Sequence, residues 1–235
     1  MLLAVSCPIC GALGPAPCGA CRARLRPAPA LPAPPGVDAC LALLAYEGPG
    51  RELVARLKYR NHRAALPGLA AAMASLVGGP ARVDVVTWVP TTPARRRERG
   101  FDQAELLARA VARQLRRPCR RLLARSPGPP QTGRGRAQRH AGPPLSARPL
   151  SGGHVLLVDD VVTTGATVTA GARALRAAGA HGVTALVAAR TPLRPGGGGE
   201  PRARRTTLRW LRSGLWLKVD ASRRRNDPRK ATGGR

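Results

Sequence analysis

Aromatic side chains are scarce: one phenylalanine, two tyrosines and three tryptophans in 235 residues. Stacking of successive bases on aromatic platforms, the usual route to single-stranded nucleic acid, therefore has little to work with. Lysine is scarcer still, with Lys58, Lys218 and Lys230 the only three among 40 basic residues, and acids number 12. No apolar run approaches the roughly 20 residues needed to cross a bilayer. The opening Met1-Leu2-Leu3-Ala4-Val5 is short and has no basic residue ahead of it, so neither signal peptide nor anchor is expected and the protein is placed in the cytoplasm.

Arginine is what the chain has in excess, and the net charge is +28. Ala, Gly, Pro and Arg dominate throughout, a composition that GC-rich coding also produces, so the total proves little. Its distribution says more. Fifteen Arg stand between Pro93 and Arg148 against Glu98, Asp102 and Glu105, and the last 45 residues carry thirteen Lys or Arg against three acids. Both stretches suit polyanions, whether pyrophosphate or a nucleic-acid backbone. The length admits one α/β domain with a full core and small appendages.

The chain is organised around Val155-Leu156-Leu157-Val158-Asp159-Asp160-Val161-Val162-Thr163-Thr164-Gly165-Ala166-Thr167. Four consecutive apolar residues read as a strand buried on both faces of a parallel sheet. Two carboxylates close it, and a hydroxyl-rich turn with a glycine follows. From Ala166 the period becomes helical, with Val168, Ala172 and Leu175 on one stripe. A helix starting there offers unpaired N–H groups and a positive dipole end to a phosphate. Asp159 and Asp160 would repel a bare phosphate, so the fitting ligand carries hydroxyls or a metal ion beside it, as a sugar phosphate does. No Gly-Lys-Ser/Thr follows, which argues against a nucleoside triphosphatase loop.

This run resembles the signature of type I phosphoribosyltransferases. The resemblance implies that Asp159 and Asp160 hold the ribose 2′- and 3′-hydroxyls. It also implies that Thr163, Thr164, Gly165, Ala166 and Thr167 bind the 5′-phosphate of phosphoribosyl pyrophosphate (PRPP), which is used with Mg²⁺.

Elsewhere the chain divides by composition. Cys7-Pro8-Ile9-Cys10 and Cys18-Gly19-Ala20-Cys21 are two Cys-x-x-Cys knuckles within fifteen residues. In a chain with no route to an oxidising compartment they argue for one closed, structural Zn²⁺ site made by Cys7, Cys10, Cys18 and Cys21, with a redox dithiol as the competing reading. Cys40 and Cys119 stand alone. A Pro/Ala segment reads as a stiff extended linker. Strands are expected at 40–46, 83–89 and 183–189, and helices at 51–59, 64–77 and from Asp102 to about Arg117, with Asp102 and Glu105 in a capping arrangement.

After the strand at 83–89 comes Pro90-Thr91-Thr92-Pro93-Ala94-Arg95-Arg96-Arg97-Glu98-Arg99. Ligands of open parallel sheets bind beyond the carboxyl ends of strands, so Arg95, Arg97 and Arg99 are candidates for pyrophosphate, which guanidinium forks suit. Residues 126–153 read as a long loop. It is either a lid, with Gln131 and Arg136 folding over ribose and pyrophosphate, or a basic connector. The end of the chain, after Pro195-Gly196-Gly197, is expected to be mostly disordered, with a short helix or strand around Trp210 and Trp216.

Tyr46 to Arg60, Pro90 to Gln103, Gln131-Thr132-Gly133 with Arg136 and Arg139, the acidic motif and the two Cys pairs together resemble the ComF family. Thr91-Thr92 stands where that family commonly has Leu-His, and Asp102 where it has Asn. The resemblance implies a zinc module (1–26), a Pro/Ala linker (27–37), a type I phosphoribosyltransferase-like domain with a parallel sheet flanked by helices (38–190) and a basic tail (191–235). It implies a PRPP-binding transferase that releases pyrophosphate. A PRPP-sensing or nucleic-acid-binding accessory factor in DNA uptake, working with competence-machinery partners, is the other function it implies.

Overall fold

A computed structural model describes residues 5–57, 64–77, 83–125 and 142–192, and the backbone of 206–210 and 216–220. Lys58, Tyr59 and Arg60, together with Gln131, Thr132, Gly133, Arg136 and Arg139, lie outside the described residues.

Four strands, β1 (Ala39–Ala45), β2 (Val85–Trp88), β5 (His154–Val162) and β6 (Gly182–Arg190), form a parallel sheet in the order β1-β6-β5-β2. The register runs Val85↔Val155 to Trp88↔Val158 on one side of β5 and His154↔Gly182 to Val162↔Arg190 on the other. Having a neighbour on each side and helices on both faces explains the unbroken apolar run. Side chains alternate, so Val155 and Leu157 join one core cluster and Leu156 and Val158 the other. The first cluster packs on α6 (Ala166–Ala177) through Val168, Ala172 and Leu175. The second packs on α2 (Gly48–Arg56), α3 (Leu66–Ala74) and α5 (Gln103–Leu115), with Val54, Met73, Leu107 and Val111 fully buried.

Several boundaries move for local reasons. The helix expected at 51–59 starts three residues earlier, with Gly48-Pro49-Gly50 as the first turn of α2, because Pro at the first helical positions has the right φ and needs no N–H partner. The arginine cluster is a separate helix, α4 (Pro93–Arg99). Thr92 caps it by accepting from the Arg95 N–H at 3.3 Å, and Gly100 ends it in the left-handed region. Within the stretch read as one long loop, Leu145–Ala147 is a strand, β4, antiparallel to β3 (Leu123–Arg125). Three residues are too few for an alternation to be read.

The Pro/Ala linker is extended and is bound along its course. Ala28 N–H donates to the Leu43 carbonyl and Ala45 N–H to the Arg26 carbonyl, both at 3.0 Å, so this stretch covers the outer edge of β1. A short helix, α1 (Gly19–Ala23), carries Cys21 ahead of it. Beyond residue 192, β7 (Thr206–Trp210) and β8 (Trp216–Asp220) pair antiparallel, Trp210 opposite Trp216, where a short element was expected. No helix among the described residues is long and apolar enough to cross a membrane.

Candidate functional site

Because β2 and β5 are neighbours, their carboxyl ends open side by side into a cleft of about 310 Å³. One wall is the end of β5. Asp159 and Asp160 both line the cleft, and each carboxylate is steadied by the next peptide: Asp160 N–H donates to Asp159 Oδ1 at 2.8 Å and Val161 N–H to Asp160 Oδ1 at 2.7 Å. Both lie where a ligand hydroxyl or cation in the cleft would meet them. Burial, and secondly the charge of Asp160, push the Asp159 carboxyl well above its ordinary value, against the pull of the Asp160 N–H. A protein that folds with such an acid at a strand end is carrying an unfavourable feature that a ligand can relieve.

Next to the acids lies the loop 163–167. Thr163 and Thr167 face the cleft, whereas Thr164 serves the loop itself, its Oγ1 accepting from the Ala166 N–H at 3.4 Å. Gly165 precedes α6 at φ +83° and has no side chain to cap the helix, so beyond the Ala166 N–H taken by Thr164 the next N–H groups of the first turn are left for an anion. Gly142 presses on the same turn, where a Cβ would run into the Ala166 carbonyl oxygen.

The opposite wall is cationic. Arg95 and Arg99, one helical turn apart on α4, line the cleft. Arg97 does not: two residues from Arg95 it points about 200° around the helix. A third cation, Arg125, enters from β3, its Nε donating to the Pro90 carbonyl at 2.7 Å. Burial lowers its pKa, while Asp159 acts to raise it and Arg95 to lower it, so this guanidinium bridges the acidic and basic walls electrostatically.

Asp102, 4% exposed, joins these walls. Its Oδ1 accepts from the N–H groups of Ala104 (3.1 Å) and Glu105 (3.4 Å), capping α5, and its Oδ2 accepts from the Thr91 N–H at 2.8 Å. Glu105 does not complete a reciprocal capping box but pairs with Arg109 at 2.8 Å. Asp102→Ala leaves three donors unpaired, the Ala104 N–H of them buried, and should cost about 2–3 kcal/mol in urea unfolding. Asp102→Asn, which keeps the cap and loses the Thr91 bond, should cost about half that. Equal stability of all three proteins would remove Asp102 from this role.

The sequence pattern thus pointed to Asp159, Asp160, Thr163, Thr167, Arg95 and Arg99, which the fold brings into one cleft. Gly165 and Ala166 shape its loop. Arg125 and Tyr46 also line it and carried no local signal, since each arrives from an element whose neighbours only the sheet order defines.

The second candidate centre is the cysteine cluster. The sulfurs of Cys7, Cys10, Cys18 and Cys21 lie within 4.8 Å of one another, and the Cys10 and Cys18 sulfurs are 3.7 Å apart. Zinc–thiolate bonds of about 2.3 Å in a tetrahedron place sulfurs about 3.8 Å apart, so the donor set fits that ion. Burial raises the Cys7 thiol, but N–H groups of Cys18, Cys10 and Ile9 outweigh it and bring it down to about 6. Burial and the other three thiols push Cys21 up to about 12.

A family model for the phosphoribosyl transferase domain matches residues 102–207. Among solved structures, the chain is similar to an allosteric regulatory enzyme of purine biosynthesis, with 24% identity and a TM-score of 0.37 over 54% of this chain and 26% of that one. It is also similar to glutamine phosphoribosylpyrophosphate (PRPP) amidotransferase from B. subtilis complexed with ADP and GMP, with 26% identity and a TM-score of 0.38 over 53% of this chain and 26% of that one. The chain spans about a quarter of the length of these two proteins. No curated protein matches it. The fold is the one expected: a type I phosphoribosyltransferase-like parallel sheet flanked by helices, preceded by a cysteine cluster that could hold a metal ion.

Proposed function

We propose that the protein binds PRPP in this cleft and transfers its phosphoribosyl group to an acceptor, releasing pyrophosphate, as a ComF-type protein with a structural Zn²⁺ held by Cys7, Cys10, Cys18 and Cys21. The observation that carries the reading is one cleft with two carboxylates on one wall, a glycine-opened helix start beside them and three guanidinium groups lining it too. That order matches the ligand end to end: 5′-phosphate on the loop 163–167, ribose hydroxyls on Asp159 and Asp160, pyrophosphate on Arg95, Arg99 and Arg125. Arg97, also a sequence candidate, is better placed to meet solvent than ligand.

Bond breaking at the ribose C1′ puts negative charge on the leaving pyrophosphate and positive charge on the sugar. Guanidinium forks stabilise the first through fixed charge-assisted bonds, and the acids across the cleft favour the second. Mg²⁺ would neutralise pyrophosphate charge, and the hard carboxylate oxygens of Asp159 and Asp160 suit it. Gln131 and Arg136 remain candidates for closing over the site.

The experiment is a screen for pyrophosphate release from PRPP and Mg²⁺ across nucleobases and amines, preceded by calorimetry with PRPP alone. Binding without release from any acceptor would leave a PRPP sensor; absence of binding would end the proposal. In the same assay Arg125→Ala should weaken pyrophosphate and PRPP by roughly 10-fold or more, the worth of one charge-assisted contact, and leave ribose 5-phosphate nearly untouched.

A nucleic-acid-binding accessory role in DNA uptake is the second reading. It is favoured by the exposed Arg113, Arg116, Arg117, Arg120 and Arg121 at and beyond the end of α5. Binding of that kind should fall steeply with salt and survive substitution of Asp159 and Asp160.

A further inference from the structure

The segment between the cysteine cluster and β1 crosses the phosphate loop, and one buried arginine fastens it there. Arg190, the last residue of β6, is only 9% exposed. Its Nη1 donates to the Leu31 carbonyl at 3.1 Å and its Nη2 to the Pro32 carbonyl at 2.6 Å. Two residues further on, the Pro34 ring lies against Gly165: a Cβ built on that glycine would be 2.9 Å from both Pro34 Cβ and Cγ. The segment then follows α6, with Gly36 in contact with Ala172 and its carbonyl accepting from Arg176 Nε at 2.9 Å.

Burying a guanidinium is costly unless it is well bonded, and among the described residues no carboxylate pairs with Arg190. Its two bonds go to adjacent carbonyls, a geometry that a planar fork satisfies and a lysine ammonium does not. Gly165, at φ +83°, has no side chain of its own to hold the loop or cap the helix it opens. The ring of Pro34 supplies the missing constraint from outside.

We infer that Arg190 is a positioning residue for the 5′-phosphate site: it pins residues 31–34 as a strap, and the strap keeps Gly165 in the conformation that turns the start of α6 toward the cleft. This rests on reading 163–167 as the phosphate loop. The consequence is selective, because among the described residues no recorded hydrogen bond or ion pair joins Arg95, Arg99 or Arg125 to residues 31–34.

The test is calorimetry on the full chain with two probes, ribose 5-phosphate and inorganic pyrophosphate. Arg190→Ala should weaken ribose 5-phosphate about tenfold and change pyrophosphate by less than about twofold. Arg190→Lys should fall between, having one donor centre for two carbonyls. Pro34→Gly removes the ring without disturbing a buried charge and should give the same split, which guards against Arg190→Ala failing to fold. Folded variants that bind ribose 5-phosphate like the wild type, or that lose both probes equally, overturn the strap. Wild-type protein that does not bind ribose 5-phosphate overturns the phosphate-loop reading, and the strap with it.

Discussion

Asp160→Asn should yield a folded protein with PRPP affinity lower by roughly 10- to 150-fold, and the double change with Asp159→Asn should abolish measurable binding. A ribose hydroxyl donating to a carboxylate makes a charge-assisted bond of about 1.5–3 kcal/mol, which converts to that range per residue. Asparagine keeps the size and loses the charge. Both carboxylates already accept one N–H from the chain, so the strand end should hold its shape in the variants. Calorimetry measures the loss, and unchanged affinity would sink the ribose assignment.

Stability should move the other way for Asp159. Its carboxyl titrates well above its ordinary 3.8 in the folded state, so the folded protein holds that proton more tightly than the unfolded chain. The favourable contribution is complete below 3.8 and is lost as pH rises through the elevated value. Asp159→Asn should therefore melt above the wild type at roughly pH 8, with the gap closing toward roughly pH 4. A variant less stable than wild type at the higher pH would mean the charge is not held at a cost. Ligand-site acids kept against stability are a familiar trade.

Removing the proposed Zn²⁺ from the cysteine cluster carries the second large effect. Cys7 and Cys21 are 0% and 4% exposed, and four sulfurs crowd within 4.8 Å. Without a cation to balance thiolates there, that part of the chain loses its reason to stay closed. Ile9, Ala16 and Leu25 pack on the main core, so the loss spreads to β1 and α2. Chelation, or Cys7→Ser, should release one Zn²⁺ per chain and cost roughly 3 kcal/mol or more. The melting midpoint should fall by about 6–12 °C. Elemental analysis and calorimetry read both. A metal-free protein with two disulfides, or full zinc loss without a thermal shift, would defeat the structural-zinc assignment.

Much of this was legible in the chain as written. Val155–Val158 announced a strand buried on both faces, Asp159-Asp160 and the threonine turn announced residues that line one cleft, and paired Cys-x-x-Cys knuckles announced four sulfurs gathered at one place. Each signal is complete within about fifteen residues, since strand period, turn chemistry and ligand spacing are local properties. Thr92 and Pro93 open a helix that was not expected from the arginine run, and that helix explains why Arg95 and Arg99 share a face that Arg97 leaves.

Tertiary structure decided the rest, because the remaining partners are far apart in sequence. Arg125 meets the Pro90 carbonyl across 35 positions, and Arg190 meets Leu31 across 159. The sequence by itself determined the chemistry on offer, acids beside a glycine-opened helix start and a cluster of four thiols. Only the order β1-β6-β5-β2 decided that the end of β2 lies beside the end of β5, which sets arginines opposite carboxylates across one cleft. No local pattern encodes which strands become neighbours; that follows from how two hydrophobic faces are buried at once.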